Sequence, residues 1–260
     1  MKKAVGYLYI GLVAIFLYAP IFALVVLSFN DGKSMSVFTG FSLKWYIEMF
    51  KSDIIIEAMF NTFTIAIISS IVSTVIGTMG AIGIESMGQK LQGGILTLNN
   101  IPMVNADIVT GISLMLCFIL FRISLGYQTV LFAHITFSIP YVLLSVIPRI
   151  NKKTENLYEA ALDLGASKRY AFRKIVLPEL MPGITSGFLL AFTMSVDDFI
   201  ITYFTRGMGI NTISTLIYSQ VKVGIRPSLF AISTIIFLIA LIALIIVNKK
   251  NNKERRIEPA

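Results

Sequence analysis

The sequence has few of the residues that build catalytic and metal sites. Its 260 residues include one cysteine and one histidine. One cysteine excludes an intramolecular disulfide, and because Cys117 lies in an apolar run we expect a buried, inert thiol. One histidine and one cysteine are too few for a zinc site, and no H-E-x-x-H motif occurs. We therefore expect no metal site and no catalytic residue in this chain.

Charged residues and nucleotide-binding motifs are also scarce. Asp, Glu, Lys and Arg make up 14% of the chain and hydrophobic residues 56%, whereas a soluble domain has about 25% charged residues. The composition therefore indicates a membrane protein. The net charge of +8 does not indicate a nucleic-acid partner, because the basic residues cluster beside apolar stretches. Residues 83–90 resemble a phosphate loop only faintly, since Gln89 stands where lysine is required.

Six apolar stretches are each long enough to cross about 30 Å of hydrocarbon, which takes about 20 residues. They are residues 5–29, 58–84, 101–121, 123–148, 183–204 and 228–247. The first is too long for a signal-peptide core and no small-residue cleavage site follows it, so we interpret it as a retained helix. We predict a single all-α transmembrane domain over residues 1–260, with a polar loop at residues 149–181.

The basic residues also predict the orientation. If the N-terminus is cytoplasmic, 15 of the 22 lysines and arginines fall in cytoplasmic segments and 7 in external ones. Because cytoplasmic loops of membrane proteins carry an excess of Lys and Arg, we expect both termini inside the cell. This orientation makes the loop of residues 149–181 cytoplasmic.

Residues 158–178, which we name the elbow, show together with the residues just before them a helix–break–helix pattern. Thr154 can cap the first helix. The apolar stripe of that helix consists of Leu157, Ala160, Ala161 and Leu164. Gly165 follows at a position typical of a helix end, and Ser167 can cap a second helix that Pro178 ends. Such a stripe is typical of a surface that docks another protein; the alternative is an amphipathic loop lying on lipid headgroups.

Three carboxylates interrupt the apolar stretches: Asp107, Asp197 and Asp198. Ionised acids are costly in a membrane and usually face a protein interior or a water path. No lysine or arginine lies within the six stretches, so we expect an external cation as the partner. We place Asp107 nearer the cytoplasm and the pair in the outer half, with neighbouring side chains about 100° apart. The alternative is a wet position near the headgroups.

Other intramembrane and interfacial residues have two interpretations each. Trp45, Tyr46 and Tyr203 are candidates for cation–π contacts or members of the interfacial aromatic belt. For His134 we favour hydrogen bonding to a neighbouring helix over a proton relay. We also expect a short amphipathic helix from about Leu43.

Glycines on the second and fifth stretches predict close helix packing, or else glycine tolerated without a role. They are Gly77, Gly80 and Gly83, and the pair Gly183-x-x-x-Gly187.

The elbow carries a motif of a known family. Glu159-Ala160-Ala161, three residues, Gly165, nine residues, Ile175, one residue and Leu177-Pro178 together resemble the E-A-A loop of bacterial ABC importer permeases. The resemblance implies a polytopic type I ABC importer permease with six transmembrane helices. In that family the loop docks in a groove of the ATP-hydrolysing subunit. The implied ATPase-coupling residues are Tyr158, Glu159, Ala160, Ala161, Gly165, Ala166, Ile175, Leu177 and Pro178.

Wider segments resemble the spermidine/putrescine importer permeases, which are PotC-like. These segments are Ser28–Asn30, Gly40–Tyr46 and Ser195–Phe199, and the similarity runs along nearly the whole chain. Lys168 departs from the family, which often has an acid there. The resemblance implies a polyamine path lined by Trp45, Asp107, Ser195, Asp197 and Asp198.

The same resemblance implies a set of partners in the bacterial plasma (inner) membrane. They are a second permease (PotB-like) forming a heterodimer, an ABC ATPase dimer (PotA-like), an extracellular substrate-binding protein (PotD-like) and the lipid bilayer. ATP and Mg would be bound by the ATPase, so this chain would be a non-catalytic translocation subunit with no cofactor of its own.

Two other functions stay open at the level of the sequence. One is an ABC permease for another small solute, such as an amino acid, ferric ion or thiamine. The other is a proton-coupled secondary carrier that uses Asp197, Asp198 and His134 as a relay. Such carriers usually contain internal repeats, and we find no clear repeat between the two halves of this chain.

Overall fold

The computed structural model describes residues 2–32, 37–223 and 227–255. Within these residues the regular elements are helical, and the β-type pairing is an isolated antiparallel bridge between Asn30 and Phe41. The α-helices are α1 (Lys2–Ser28), α2 (Lys44–Lys51), α3 (Asp53–Glu85), α4 (Gln89–Val104), α5 (Asp107–Leu120), α6 (Tyr127–Val146), α7 (Lys152–Asp163), α8 (Lys168–Ala171), α9 (Leu177–Asp197), α10 (Ile200–Thr205), α11 (Ile213–Val223) and α12 (Ser228–Arg255). The predicted all-α class is confirmed.

The chain divides into two compact units. The first contains residues 1–56 and 216–260, and in it α12 packs against α1 and α2. The second contains residues 57–215, and in it α6 packs against α9 and α4 while α10 packs against α5 and α6. The three predicted intramembrane acids all belong to the second unit.

Four described helical segments are long and apolar enough to cross a membrane: Tyr9–Ser28, Asp53–Glu85, Tyr127–Arg149 and Lys168–Asp197. The predicted third span is not one straight helix, because α4 and α5 meet at an angle of 106° and count as a fifth span only if taken together. The predicted sixth span reaches residue 247, beyond the residues whose side chains are described, and its described apolar part is Ser228–Ile239. The count of six spans stays a prediction.

Two glycines allow α6 and α9 to pack closely. A Cβ added at Gly183 would lie 2.7 Å from the carbonyl oxygen of Ser145, and one added at Gly187 would lie 3.2 Å from the Cα of Val142. Both distances are shorter than ordinary van der Waals contact, so the helix backbones can approach this closely only without side chains at these positions. The predicted packing role of this glycine pair is confirmed.

The three glycines of α3 differ in role. A Cβ added at Gly77 would lie 2.7 Å from Cγ1 of Val142, which shows that α3 approaches α6 at this level. At Gly80 the nearest atom would be at an ordinary contact distance of 3.5 Å, and at Gly83 no atom lies within 4 Å. Gly77 therefore has the predicted packing role, and Gly83 is tolerated without one.

Two smaller expectations have different outcomes. The amphipathic helix predicted from about Leu43 is α2, which begins at Lys44 with Leu43 as its N-cap residue. Cys117, expected to be buried, is exposed. It lies on the same exposed face of α5 as Leu116 and Leu120, so within this chain the apolar surface around it is uncovered.

Candidate functional site

A cavity of about 290 Å³ lies where two interrupted helices meet. The first interruption separates α4 from α5 and makes Asp107 the first residue of α5. The second ends α9 at Asp197, and Asp198 has extended backbone angles (φ −62°, ψ 128°) before α10 begins. All three aspartates line the cavity, together with Thr110 and Tyr141. We name this space the acid cavity.

The position of Asp107 corrects an expectation. The sequence predicts that Asp107 lies nearer the cytoplasm on the third span and that the aspartate pair lies in the outer half of the fifth. In the structure Asp107 lines the same cavity as Asp197 and Asp198. The cause is the bend of 106° between α4 and α5, because it takes the start of α5 off the axis of α4. The three acids therefore form one site and do not mark two ends of a path.

The orientation of the aspartate pair is also different from that predicted. Neighbouring residues of a helix point about 100° apart, but that rule fails here because Asp198 has left the helix. Asp197 is exposed and Asp198 has a side chain that is 7% exposed, and both line the cavity. The end of the helix thus allows two consecutive carboxylates to reach one space.

The lining of the acid cavity carries net negative charge. Its lining contains three carboxylates and neither lysine nor arginine, and much of the remainder is apolar, including Phe137, Met194 and Ile201. Charges near apolar walls are poorly screened and attract opposite charges more strongly than they do in water. Among the described residues, no group of three or more His, Cys, Asp and Glu side chains is arranged to hold a metal ion. The geometry suits a cation that spreads its charge over several groups.

The Asp198 carboxylate is held by the first turn of α10. It accepts the backbone N–H groups of Ile201 (3.2 Å) and Thr202 (2.7 Å), and also the hydroxyl of Thr202 (2.8 Å). The first N–H groups of a helix have no partner within the helix, so a carboxylate at this position satisfies them. On the other side of the break, the Ser214 hydroxyl donates to the Asp198 carbonyl oxygen at 2.6 Å. Asp198 therefore fixes the geometry of the break.

His134 connects the elements behind the acid cavity. It is 1% exposed. Its Nδ1 lies 2.6 Å from Oγ of Ser195 on α9, and its Nε2 lies 2.9 Å from Oγ1 of Thr202 on α10. Nε2 also lies 3.5 Å from the Asp198 carboxylate. Hydrogen bonding of His134 to neighbouring helices, the favoured interpretation of the sequence, is confirmed.

Ser195 lies behind the cavity and is 4% exposed. Its hydroxyl contacts His134 and lies 3.2 Å from the Ser69 hydroxyl on α3. Ser195 thus reaches the acids through His134 and does not line the cavity with them.

Sequence reasoning missed several residues of the site. Thr202 could have been found, because Asp198 followed three and four residues later by Ile201 and Thr202 has the spacing of a capped helix start. Ser69 and Tyr141 carry no comparable local signal, because only the packing of α3 and α6 brings them here.

Trp45 and Asn30 hold together two segments of the first unit, Ser28–Asn30 and Gly40–Tyr46. The Asn30 side chain accepts the N–H and hydroxyl of Thr39 (2.8 and 3.0 Å) and donates to the Val37 carbonyl oxygen (2.8 Å). Trp45 is 4% exposed and donates its indole N–H to the Asn30 carbonyl oxygen. The motifs Ser28–Asn30 and Gly40–Tyr46 are therefore held together by contacts of their own residues.

The two candidate tyrosines have contacts within their own units. The Tyr46 hydroxyl lies 2.7 Å from Oγ of Ser28, and its ring centroid lies 5.2 Å from that of Phe29. The Tyr203 ring centroid lies 5.6 Å from the guanidinium carbon of Arg206.

The turn of the elbow is fixed by backbone hydrogen bonds. Gly165 has φ +86°, in the left-handed region that favours glycine. The Gly165 N–H donates to the Leu162 carbonyl oxygen (2.9 Å) and the Ala166 N–H to the Ala161 carbonyl oxygen (3.0 Å). These two bonds form a Schellman motif that ends α7. The helix stop predicted at Gly165 is confirmed.

Two expectations about the ends of the elbow helices are wrong. The first helix is capped by Asn151, whose side chain accepts the Thr154 N–H at 3.1 Å, so Thr154 lies inside α7. The second helix does not end at Pro178. It begins at Lys168 after the predicted Ser167 cap and continues through a π turn at Phe172–Val176 into α9. In the wider π turn the Leu177 N–H bonds to the Phe172 carbonyl oxygen. Pro178 then lies in the first turn of α9, where a proline ring is tolerated.

The elbow presents part of its apolar stripe to the surroundings. Leu164 is 90% exposed and Leu157 is 43% exposed. Glu159 and Ala160 are also exposed, while Ala161 is half-buried. Leu157, Ala160 and Leu164 therefore leave an apolar stripe uncovered next to the turn, and a contiguous exposed apolar patch is typical of a contact with another protein or with a membrane.

Comparison with known proteins gives a consistent result. The sequence profile of the family described as "binding-protein-dependent transport system inner membrane component" matches residues 1–251. The chain is 36% identical over 243 residues to the spermidine/putrescine transport system permease protein PotC of Haemophilus influenzae, with 91% of this chain and 93% of that protein covered. It is also 36% identical over 228 residues to the putrescine transport system permease protein PotI of Escherichia coli K12, with 85% and 81% covered.

A solved structure shares the fold. It is the crystal structure of a bacterial alginate ABC transporter in complex with an alginate pentasaccharide-bound periplasmic protein. One of its chains matches with a TM-score of 0.69 and 20% sequence identity, and the match covers 98% of this chain and 94% of that one.

Proposed function

The chain belongs to the family of binding-protein-dependent transport system inner membrane components, and from this membership we propose that it is the permease subunit of an ABC importer for polyamines such as spermidine and putrescine. It is a transport component of the bacterial inner membrane, with several apolar helices that cross the bilayer. The observation that carries the choice of cargo is the meeting of three aspartates in one cavity without a basic residue in its lining.

The chemistry of the cavity matches a polyamine. Polyamines are flexible chains with ammonium groups at intervals. Asp107, Asp197 and Asp198 can therefore each pair with a different ammonium group and need not all coordinate one ion. The apolar lining suits the methylene segments between the ammonium groups. The printed names of two relatives, which refer to spermidine and putrescine, support the same cargo.

The five proposed path residues act in different ways. Asp107 and Asp197, which are exposed within the cavity, contact the cargo. Asp198 contributes charge and also fixes the helix break. Ser195 acts through His134. Trp45 acts by holding the segments Ser28–Asn30 and Gly40–Tyr46 together on the external side.

Energy for transport comes from a partner. No nucleotide-binding motif occurs in the sequence, so ATP and Mg are bound and ATP is hydrolysed by an ABC ATPase dimer. The elbow docks on that dimer through Tyr158–Ala161, Gly165 and Ala166, and the segment Ile175–Pro178 continues into α9. The exposure of Leu164 and the hydrogen-bonded turn at Gly165 support this role. In this orientation the elbow and both termini are cytoplasmic, as the distribution of basic residues predicts.

Two further partners complete the importer. A second permease pairs with this chain as a heterodimer, and an extracellular substrate-binding protein delivers the cargo. A solved structure of the same fold is a complex with a periplasmic protein, which supports a partner of that kind.

The experiment that tests the proposal is uptake of radiolabelled spermidine and putrescine by the full complex in proteoliposomes supplied with ATP and loaded binding protein. Asp107→Asn and Asp197→Asn should each reduce the initial rate about tenfold or more, because each removes one charge from a poorly screened site. Asp53→Asn is the matched control, since Asp53 is an exposed acid outside the cavity lining.

Other outcomes would select a different function. Unchanged polyamine uptake in both variants, in complexes that assemble normally, would refute the acid-lined path. Uptake of an uncharged or anionic solute in preference to polyamines would indicate another ABC permease. Uptake that continues without ATP and collapses with an uncoupler would indicate a proton-coupled carrier.

A further inference from the structure

A directed chain of hydrogen bonds runs behind the acid cavity. An ionised Asp198 carboxylate can only accept, so the Thr202 hydroxyl gives its one proton to it at 2.8 Å. The Thr202 oxygen must then accept from His134 Nε2 at 2.9 Å, which places a proton on Nε2. With the ring neutral, Nδ1 accepts the proton of the Ser195 hydroxyl at 2.6 Å. The bonds all run toward the Asp198 carboxylate.

His134 is placed to bring positive charge to this site. Its Nε2 lies 3.5 Å from the Asp198 carboxylate, and the cavity lining contains neither lysine nor arginine. The α3 helix, which presents Ser69 here, has its acids Asp53, Glu57 and Glu85 near its ends. The other ionisable side chains on the four helices around His134 are Asp107 and Cys117 on α5, Tyr127 and Tyr141 on α6, Glu179 and Asp197 on α9, and Tyr203 on α10.

We propose that His134 is a positioning residue for Asp198 and makes transport of the cationic cargo dependent on pH. The neutral ring holds the Thr202 hydroxyl against Asp198 and leaves the full negative charge of the cavity available to an ammonium group. Protonation turns Nδ1 from an acceptor into a donor toward Ser195 and places a positive charge 3.5 Å from the carboxylate. The net negative charge at the site then falls by one, so the site attracts the cargo less. This inference rests on the proposed function, because it concerns the same acids.

The test is a pH scan of ATP-driven polyamine uptake by the full complex at saturating loaded binding protein. As the pH is lowered stepwise from about 8 to about 5, the wild-type rate should fall about fivefold, because a protonated ring lowers the negative charge at the site by one. The rate of His134→Gln should change less than about twofold, because its amide can still donate to Thr202 but does not titrate there. His134→Ala removes the donor and should be slow at every pH.

Control measurements separate this chain from its partners. The same pH scan of basal ATP hydrolysis, and of cargo binding to the isolated binding protein, measures the titration of the other subunits. A parallel fall in the rates of wild type and His134→Gln would overturn the inference, since the titrating group would then be another one. Equal rates for His134→Ala and His134→Gln at about pH 7.5 would overturn the positioning role.

A spectroscopic readout does not depend on the variants. This chain has one histidine, so a ¹⁵N-histidine-labelled copy, purified with a histidine-free tag and assembled with unlabelled partners, gives one pair of imidazole nitrogen signals. At about pH 7.5 the protonated nitrogen should be Nε2, with Nδ1 gaining a proton as the pH falls. A ring protonated on Nδ1 alone at that pH would overturn the directed chain.

The two proposals fail in different ways. If Asp107→Asn and Asp197→Asn leave uptake unchanged, the proposed function fails whatever His134 does. If those variants reduce uptake but His134→Gln keeps the wild-type pH profile, the role of His134 alone is refuted.

Discussion

The elbow and the acid cavity are both built around a break between helices, but each leaves a different kind of group unsatisfied. At the elbow, Gly165 closes the backbone with a Schellman motif and the side chain left without cover is the apolar Leu164. At the cavity, the Asp198 carboxylate accepts the free N–H groups at the start of α10. The groups left exposed there are the carboxylates of Asp107 and Asp197. Under the proposed function, an apolar surface of the ATPase covers the elbow and a cationic cargo pairs with the cavity acids.

The two regions also differ in how function relates to stability. Exposed elbow side chains have few contacts within the chain, so replacing them should change function and leave folding intact. The side chains behind the cavity hold each other through buried hydrogen bonds, so replacing them should change both. The three predictions that follow test this difference, beginning with the largest expected effect.

Leu164→Asp should abolish most ATP-driven uptake, by about 100-fold, because a charge would have to be buried against the apolar surface of the ATPase. The thermal stability of the purified chain should change by no more than about 0.5 kcal/mol, since Leu164 is 90% exposed. Uptake and co-purification of the ATPase measure the first effect, and thermal unfolding in detergent measures the second. Leu157→Asp offers a graded control at a less exposed position of the same stripe. Normal co-purification and uptake would show that the elbow does not dock there.

Thr202→Val should lower both stability and uptake, because it removes the hydroxyl that joins His134 to Asp198. Leaving these buried groups without their partner costs roughly 1–2 kcal/mol, in the lower part of the usual range, which corresponds to a loss of about 5- to 30-fold in a process that needs the intact site. Thr202→Ser keeps the hydroxyl and is the matched control. If Thr202→Val and Thr202→Ser behave alike in thermal unfolding and uptake, the hydroxyl has no part in the site.

Gly165→Ala should have the smallest effect, about 1 kcal/mol, because alanine is strained at the φ of +86°. A Cβ at this position meets no atom within 4 Å, so the cost comes from the backbone alone. Gly165→Asn should recover part of the loss, since asparagine tolerates left-handed angles better than alanine. Both are compared by thermal unfolding and by coupling of ATP hydrolysis to uptake. An alanine variant as stable and as well coupled as wild type would contradict the role of the turn.

Much of the fold follows from local signals in the sequence. The turn at Gly165, the Ser167 cap and the start of α2 are each specified by residues within a few positions of them, and the structure has all three. The Gly183–Gly187 packing was also predictable, because small residues four apart lie on one face of a helix. These features need no information about the rest of the chain.

Other features depended on a choice between competing local signals. Asn151 and Thr154 are both good cap residues, with asparagine somewhat preferred over threonine; in the structure the chain is extended at Asn151 and the helix begins after it. Pro178 usually marks a helix end, but the π turn at Phe172–Val176 accommodates it. In both cases the wrong prediction came from applying one local rule where two applied.

The site itself was only partly predictable. The sequence identifies the three aspartates as unusual, because charges in apolar stretches are costly. It does not show that they meet, because their meeting depends on the bend between α4 and α5 at Asn105 and Ala106; Pro102 in the last turn of α4 can indicate a break but not the direction of the bend. The link from Ser195 through His134 to Asp198 joins three helices and has no counterpart in the linear pattern.

The continuity of α8, the π turn and α9 has a mechanical consequence. Lys168–Asp197 forms a helical segment of 30 residues, about 45 Å long, with the second half of the elbow at one end and Asp197 at the other. The elbow end and the carboxylate are therefore joined by one continuous helical segment, so a displacement at the elbow end can be transmitted to Asp197. Because linkage is reciprocal, a ligand that favours one position of this segment at the Asp197 end will also change the affinity of the segment's opposite end for the protein that binds it.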